Sequence, residues 1–308
     1  GAIGLGLTWA VLLRPDQGLL AAAVVPAMVW VGWRLAGSAG WGYRLGPAVV
    51  ASGIMAGALG LWGVRNWRVF HVVQPLAPHD ANDPGEEVAH GFMRWYRTWG
   101  VGFPSTVRVY WTYDGSMVWM EDLPARAFDG PWQRAETKTI LERYNEEQAS
   151  TPAVDAAWAR LAEERVRAHP VMYYVGLPVA RELNMWFRPR VELLKVPLEW
   201  WRVRVRPRAA MVAFVFAAVN GVYLLLGLEE WKRWRRRDAL VWSMVGFCVL
   251  RCALLLTLDN SEPRYTLECF PVVILFAGMA VGGWTRPGWW RSGWWRSGRE
   301  AGSSLRAE

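Results

Sequence analysis

The chain has 308 residues, of which 53% are hydrophobic and 20% charged, and it carries a net charge of +8. Averages of this kind suit a large soluble protein or a membrane protein with a polar domain, so position along the chain decides. Three cysteines, all within or beside apolar runs, exclude a disulfide framework, and the positive charge sits largely beside those runs, which speaks for membrane orientation rather than a nucleic-acid partner.

Residues 1–13 are apolar but too short to cross a bilayer, which takes ~20 residues. The chain opens at Gly1 inside this stretch, and we expect the C-terminal part of a longer protein with a truncated first helix. Arg14-Pro15-Asp16 interrupts it, with proline fit for the first turn of the next helix. Residues 17–33 are nearly uncharged and predict a second span; 34–44 is a Gly-rich connection. Residues 45–64 hold no charge and are rich in Gly and Ala, which permits close helix contact in lipid. Arg65-Asn66-Trp67-Arg68 ends that run.

A long polar segment, 65–208, is nearly balanced in charge. Its start, 74–87, reads as loop. A short aromatic helix is expected over 90–98, and weak alternation over 107–113 predicts a strand. Asp129, with Pro131 in the first turn, predicts a capped helix to about residue 147. Thr151 and Pro152 start the next, with Val154, Trp158, Leu161 and Ala162 on one face and an end near His169-Pro170. A third is expected over 171–187. Residues 193–208 mix paired Trp200-Trp201 with Arg202, Arg204, Arg206 and Arg208, as in a juxtamembrane stretch at headgroup level.

Three further spans are expected over 209–228, 239–258 and 266–283. Many of the 23 tryptophans stand at the ends of the apolar runs, as in an interfacial aromatic belt. The loop Glu229-Glu230-Trp231-Lys232-Arg233-Trp234-Arg235-Arg236-Arg237 is short and basic, which assigns it to the cytoplasm. The basic tail repeats Trp-Trp-Arg-Ser-Gly at 289–293 and 294–298 and reads as an interfacial anchor. Counting back puts the 259–265 turn, residues 65–208 and Arg14 outside, and 34–44 inside. The expected architecture is an all-α polytopic membrane protein: about five transmembrane helices plus a truncated one, with a mainly helical extracytoplasmic domain. Its parts are 1–64, 65–208, 209–284 and a cytoplasmic tail, 285–308, in the inner membrane.

The chemistry-bearing residues collect at one face. Asn260-Ser261-Glu262-Pro263-Arg264-Tyr265 packs a carboxylate, a guanidinium and a phenol into one turn between two spans. Together with Arg14 and the Arg65-Asn66 junction it makes either a grip for an anionic lipid headgroup or three ordinary interfacial anchors. Arg251 lies inside a span, roughly 10 Å deep by helix rise. Arginine there needs a partner or a watery cavity, and Glu268 is the candidate partner; the pair is either a structural ion pair or one wall of the headgroup site. His71, His79, Asp80, Asp83 and His90 match no standard metal spacing, and Cys248 and Cys252 read as small apolar side chains. No metal site is assigned, a divalent ion being the one open cofactor. Asp114, Glu121 and Asp122 are acids suited to proton transfer, or simply solvated loop charges.

Arg14-Pro15-Asp16, Trp62-Gly63-Val64-Arg65-Asn66-Trp67-Arg68-Val69-Phe70, and Glu262-Pro263-Arg264-Tyr265 followed by Pro271 resemble bacterial integral-membrane glycosyltransferases of the C-type fold. Among these, the chain is similar to glycosyltransferase family 39, related to protein O-mannosyltransferases and lipid A aminoarabinose transferases. Residues 105–201, with Leu123-Pro124-Ala125-Arg126-Ala127-Phe128 and Met185-Trp186-Phe187-Arg188-Pro189-Arg190, resemble a bacterial branch of it. Leu61 departs from the family, which often has proline there. The resemblance implies a polyprenyl-phosphate-linked sugar donor, an acceptor of unstated identity and transfer on the outer face of the membrane. It also implies an acidic general base in a loop preceding Gly1. It makes Arg65, Arg264 and Tyr265 candidates for donor phosphate contacts, beside Asn66, Glu262 and Arg14. The competing expectations are a non-catalytic lipid or polysaccharide transporter subunit and a membrane-anchored scaffold. The absence of an internal repeat and the one-sided polar groups favour the transferase.

Overall fold

The computed structural model describes residues 1–35, 40–76, 88–113, 115–192, 194, 196–201, 203–204, 206–233 and 239–285. The chain is an all-α, multi-pass membrane protein, and no strand occurs among the described residues. Its first three helices are α1 (Ala2–Leu13), α2 (Gly18–Leu35) and α3 (Trp41–Phe70). A 3-10 turn over Pro15–Gln17 separates the first two, with Pro15 in its first turn and Arg14 extended before it. Small residues set the spacing. A Cβ on Gly4 would stand 2.8 Å from the Ala51 Cα, and one on Gly32 would stand 2.0 Å from the Arg44 carbonyl oxygen. Such backbone approach is how helices associate where lipid offers no hydrophobic driving force.

Helix α3 does not stop at Arg65. It continues through Trp67 and Arg68 to Phe70 and closes at His71, which takes the left-handed conformation with φ 57°. The charged residues there project from a helical end whose side chains are largely exposed. The change of polarity at Arg65 marks where the surroundings change, not where the backbone does.

The polar segment has its own core. It comprises α4 (His90–Arg97), a helical turn α5 (Phe103–Ser105) widening into a π-turn over Thr106–Tyr110, then α6 (Pro131–Glu147), α7 (Pro152–Ala168) and, after a π-turn over Met172–Gly176, α8 (Leu177–Phe187). Aromatic rings fill the centre: Phe92, Trp95, Tyr96, Trp99, Tyr113, Tyr144 and Trp158 are buried together. Tyr113 stacks between Phe92 at 3.5 Å and Tyr144 at 4.1 Å, and its hydroxyl accepts from Trp158 Nε1 at 2.9 Å. Burial raises the Tyr113 phenol above its ordinary range, so it stays protonated.

Two sequence expectations fail here. Residues 107–113 alternate, yet they fold as the π-turn and the turn after it, because Pro104 opens a helical turn just upstream. Asp129 does not cap α6; Gly130 holds that position, and Asp129 Oδ1 instead pairs with Arg165 at 3.0 Å. Thr151 does cap α7, its side chain accepting from Val154 N at 3.4 Å. Helix α4 is capped from a distance: the Asp155 carboxylate accepts from Gly91 N at 2.9 Å and Phe92 N at 3.0 Å. That contact needs glycine. A Cβ on Gly91 would fall 2.0 Å from the Asp155 carbonyl oxygen, so Gly91→Ala should destabilise the protein by about 1–3 kcal/mol through forced backbone shifts. Thermal unfolding of the purified variant measures this.

The chain returns to apolar helix with α9 (Pro207–Arg233), α10 (Ala239–Leu255) and α11 (Phe270–Thr285), the last preceded by a 3-10 stretch over Pro263–Cys269. Among the described residues four helical segments are long and apolar enough to cross a membrane: Pro15–Leu35, Trp41–Phe70, Pro207–Arg233 and Pro263–Gly282. The expected fifth, α10, has 17 residues, at the short end of the spanning range. Helix α10 packs on α2, and α9 packs on α11. Contacts fix the directions. Arg251, late in α10, meets Asp16 at the start of α2, while Ala239 and Ser243 share a groove with Val31 and Leu35. Helices α2 and α10 are therefore antiparallel, and Asp16, the end of α3, Arg251 and the 259–268 stretch gather at one end of the bundle. The basic loop joining α9 to α10 includes residues 234–238, which lie outside the described residues, as do the 289–298 repeat and most of the tail.

Candidate functional site

Arg251 has a side chain only 2% exposed and sits in an ion network. Its Nη1 reaches Asp16 Oδ2 at 2.5 Å, its Nη2 stands 3.3 Å from Glu268 Oε1, and its Nε donates to the Tyr265 carbonyl oxygen at 3.2 Å. Arg14 completes the square, pairing with Asp16 at 2.9 Å and Glu268 at 2.6 Å. Gln17 Nε2 donates to the other Glu268 oxygen at 2.7 Å. Two guanidiniums face two carboxylates, which satisfies charges that would be prohibitive singly in this position. Glu268 is the partner anticipated from the sequence; Asp16 was not, although it opens the helix packed on α10.

The 259–266 turn is no solvated hairpin. Asn260, Ser261, Glu262 and Thr266 are buried, and the polar segment clasps them. Thr106 Oγ1 donates to the Ser261 carbonyl at 3.1 Å, and Ser261 Oγ donates to Asn184 Oδ1 at 3.0 Å. Arg190 donates to the Pro263 carbonyl and to Thr266. Arg97 pairs with Asp259 at 3.0 Å. Burial pushes the Asp259 carboxyl above its usual range, with Arg97 pulling the other way, and burial lowers the neighbouring Arg181 to about 10. The turn is thus a joint between polar segment and bundle.

The remaining candidates have separate partners. Arg264 contacts Glu262 through Nε, with its side chain 69% exposed. Asn66 Nδ2 donates to the Gln74 carbonyl at 2.9 Å, holding the chain as it leaves α3. Arg65 donates to Asn66 Oδ1 at 3.0 Å and lies over the Trp62 and Phe70 rings. Arg14, Arg65 and Arg264 share one end of the bundle, but none of them lines the cavities described below, and each is held by its own neighbours.

A cavity of about 490 Å³ does open at that end, where the polar segment meets the juxtamembrane stretch. Its wall includes Ser105, Arg108, Glu121, Asp122, Arg126, Asn184, Glu199 and Trp201. Arg126 is pinned by Nε to the Trp99 carbonyl at 3.0 Å and by Nη2 to Ser105 at 3.2 Å. Arg108 pairs with Glu199 at 2.6 Å. Among the described residues Glu121 and Asp122 have no ion-pair partner, so their oxygens are free to accept from a ligand. An exposed indole, fixed donors and open carboxylates suit a polyhydroxylated group. The two acids are legible in the sequence as candidates, but Arg108, Asn184, Glu199 and Trp201 are not, because they come from stretches far apart in the chain. A second cavity, about 510 Å³ and apolar, lies between α1, α2, α3 and α10 at the other end, lined by residues such as Val24, Met28, Val31 and Leu240. Among the described residues no three His, Cys, Asp or Glu side chains stand close enough to hold a metal. His79, Asp80, Asp83 and Asp114 lie outside them.

No family model matches the chain, and neither a curated protein nor a solved structure matches it.

Proposed function

We propose that this chain belongs to a membrane glycosyltransferase. In this reading a sugar passes from a polyprenyl-phosphate carrier to an acceptor at the extracytoplasmic end of the bundle. The observation that carries it is the 490 Å³ polar cavity, walled by the polar segment and the juxtamembrane stretch and tied to the 259–266 turn through Asn184, which accepts from Ser261 Oγ. A donor anchored in the bilayer by its lipid would meet such a cavity without leaving the membrane. Glu121 and Asp122 would accept hydrogen bonds from hydroxyl groups, Arg126 and Asn184 would orient the ring oxygens, and the Trp201 indole would cover an apolar sugar face. The resemblance of the 262–265 motif to family 39 supports Arg264 as the phosphate contact, since its guanidinium is open to the headgroup layer.

In the transfer the acceptor oxygen bonds to the anomeric carbon as the bond to the phosphate oxygen breaks. The departing phosphate keeps the electron pair, and the acceptor proton goes to an acidic general base of the kind the resemblance implies. A guanidinium at the phosphate would stabilise the charge developing there.

The test is sugar transfer by the complete protein in membrane vesicles supplied with a radiolabelled polyprenyl-phosphate sugar. Glu121→Gln with Asp122→Asn should lower kcat/KM by roughly ten- to a hundredfold, about 1.4–2.7 kcal/mol of transition-state binding. Arg264→Ala should abolish transfer while insertion into the membrane is retained. Full activity in both variants overturns the reading.

A further inference from the structure

The π-turn and α8 have two unlike faces. Leu177, Pro178, Arg181 and Met185 are buried against the polar segment and the 259–266 turn. On the other side Val171, Val175, Val179, Leu183 and Phe187 are exposed in steps of four. A step of four drifts around a regular α-helix, but the wider π-turn at Met172–Gly176 absorbs part of that drift and keeps Val171 and Val175 in line with the rest. The result is an apolar stripe on a segment with two charges: Arg181 is turned inward, donating to the Arg97 and Gly100 carbonyls, and Glu182 is half-buried against Cys252 of α10.

The surroundings say what covers the stripe. Trp186 stacks on Phe270 of α11 at 5.9 Å, and its carbonyl accepts from Asn220 Nδ2 at 2.7 Å. Asn220 is well inside α9: roughly 20 Å of helix rise separates it from Pro207. On that stretch Met211, Phe214, Val215 and Phe216 are exposed apolar side chains of a spanning helix. Lipid that solvates them extends past the level of Trp186, and so past the end of α8.

We propose that α8, with the π-turn before it, is an interfacial helix, lying with the Val175–Val179–Leu183–Phe187 face in the acyl and headgroup boundary of the bilayer that the bundle spans. The polar segment is then partly sunk in the membrane, fixed from above by its own core and from below by lipid. Apolar burial of this kind is the usual energetic source of in-plane helix binding. The proposal does not depend on the transferase reading.

Two measurements test it. In the unaltered chain reconstituted into phosphatidylcholine–phosphatidylglycerol vesicles, a bilayer-partitioned diazirine should label peptides from 171–187 as heavily as peptides from α9. Labelling at the level of α6 peptides would overturn the proposal. Separately, Cys248, Cys252 and Cys269 are replaced by alanine and a nitroxide is placed at Val175→Cys, Val179→Cys, Leu183→Cys or Phe187→Cys. Collision with oxygen should exceed collision with a water-soluble nickel chelate severalfold at all four positions, and the reverse should hold at Glu164→Cys, on the exposed face of α7. Preference for the nickel chelate would mean an aqueous face, and exclusion of both reagents would mean a protein cover. Either outcome overturns the assignment.

Discussion

Arg251→Met should destabilise the protein by about 3–5 kcal/mol, the range for breaking a buried ion pair from one side. Methionine keeps much of the arginine stem's volume, so packing is nearly preserved and the loss is electrostatic. It leaves Asp16 and Glu268 facing each other with Arg14 alone between them, and Arg14 has a half-exposed side chain. It also frees the Tyr265 carbonyl that Arg251 Nε holds. A double-mutant cycle separates network from packing. Asp16→Asn in the Arg251→Met background should cost clearly less than Asp16→Asn alone, because its buried partner is already gone. Thermal unfolding in detergent, followed by helical circular dichroism, reads both effects. Additive losses would mean that Arg251 and Asp16 contribute independently.

The network shows what a sequence can and cannot disclose. A guanidinium inside an apolar run demands a counter-charge whatever the fold, so Arg251 announced a partner before any contact was known. Glu268 was reachable by proximity in the chain, across one turn. Asp16 was invisible because it lies on the far side of the sequence, and only the pairing of α2 with α10 brings it in. The spans themselves were legible for the same reason that Arg251 was: an uncharged run as long as a bilayer is thick has few other uses. The ends were less so. Arg65 reads as a boundary, yet backbone hydrogen bonding carries α3 on to Phe70, since charge at a helix end is no obstacle in water or headgroups.

Local signals in the polar segment divided along a similar line. Thr151 caps α7 because nothing else competes for its hydroxyl, whereas Asp129 occupies a capping context and is claimed by Arg165 from another helix. Alternation over 107–113 suggested a strand, but Val109 is buried from a π-turn as well as it would be from a sheet. By sequence the 259–265 turn suits either a mouth or a loop; its burial comes from Thr106, Asn184 and Arg190, whose approach no turn motif encodes. The cavity beside it was illegible, because its wall is assembled from the 101–126 region, α8 and the 199–201 stretch.

Arg165→Met should unfold the polar segment selectively, at a cost of about 3–5 kcal/mol. Arg165 has a side chain 5% exposed, and it ties four elements together. Nε donates to Thr98 Oγ1 at 2.8 Å, Nη1 to Gln133 Oε1 at 2.8 Å, and Nη2 to the Arg126 carbonyl at 3.1 Å, while Nη1 stands 3.0 Å from Asp129 Oδ1. Burial lowers the guanidinium's pKa and Asp129 raises it, and at neutral pH the group stays charged. Removing it takes the charged partner from a buried glutamine and a half-buried carboxylate, which keep only each other, Asp129 N to Gln133 Oε1 at 2.9 Å and Gln133 Nε2 to Asp129 Oδ2 at 3.3 Å, and His169 at 3.7 Å from the carboxylate. The apolar bundle shares none of these bonds, so its helices should persist. The expected result is early proteolysis between residues 88 and 168 with the spanning helices protected in vesicles, and loss of near-ultraviolet signal from the Trp95, Trp99 and Trp158 cluster. Because Arg126 also lines the polar cavity, the same variant should weaken any ligand held there even below its unfolding temperature. A variant that unfolds in one step with the bundle would instead mean that polar segment and membrane helices form a single cooperative unit, joined through the 259–266 turn.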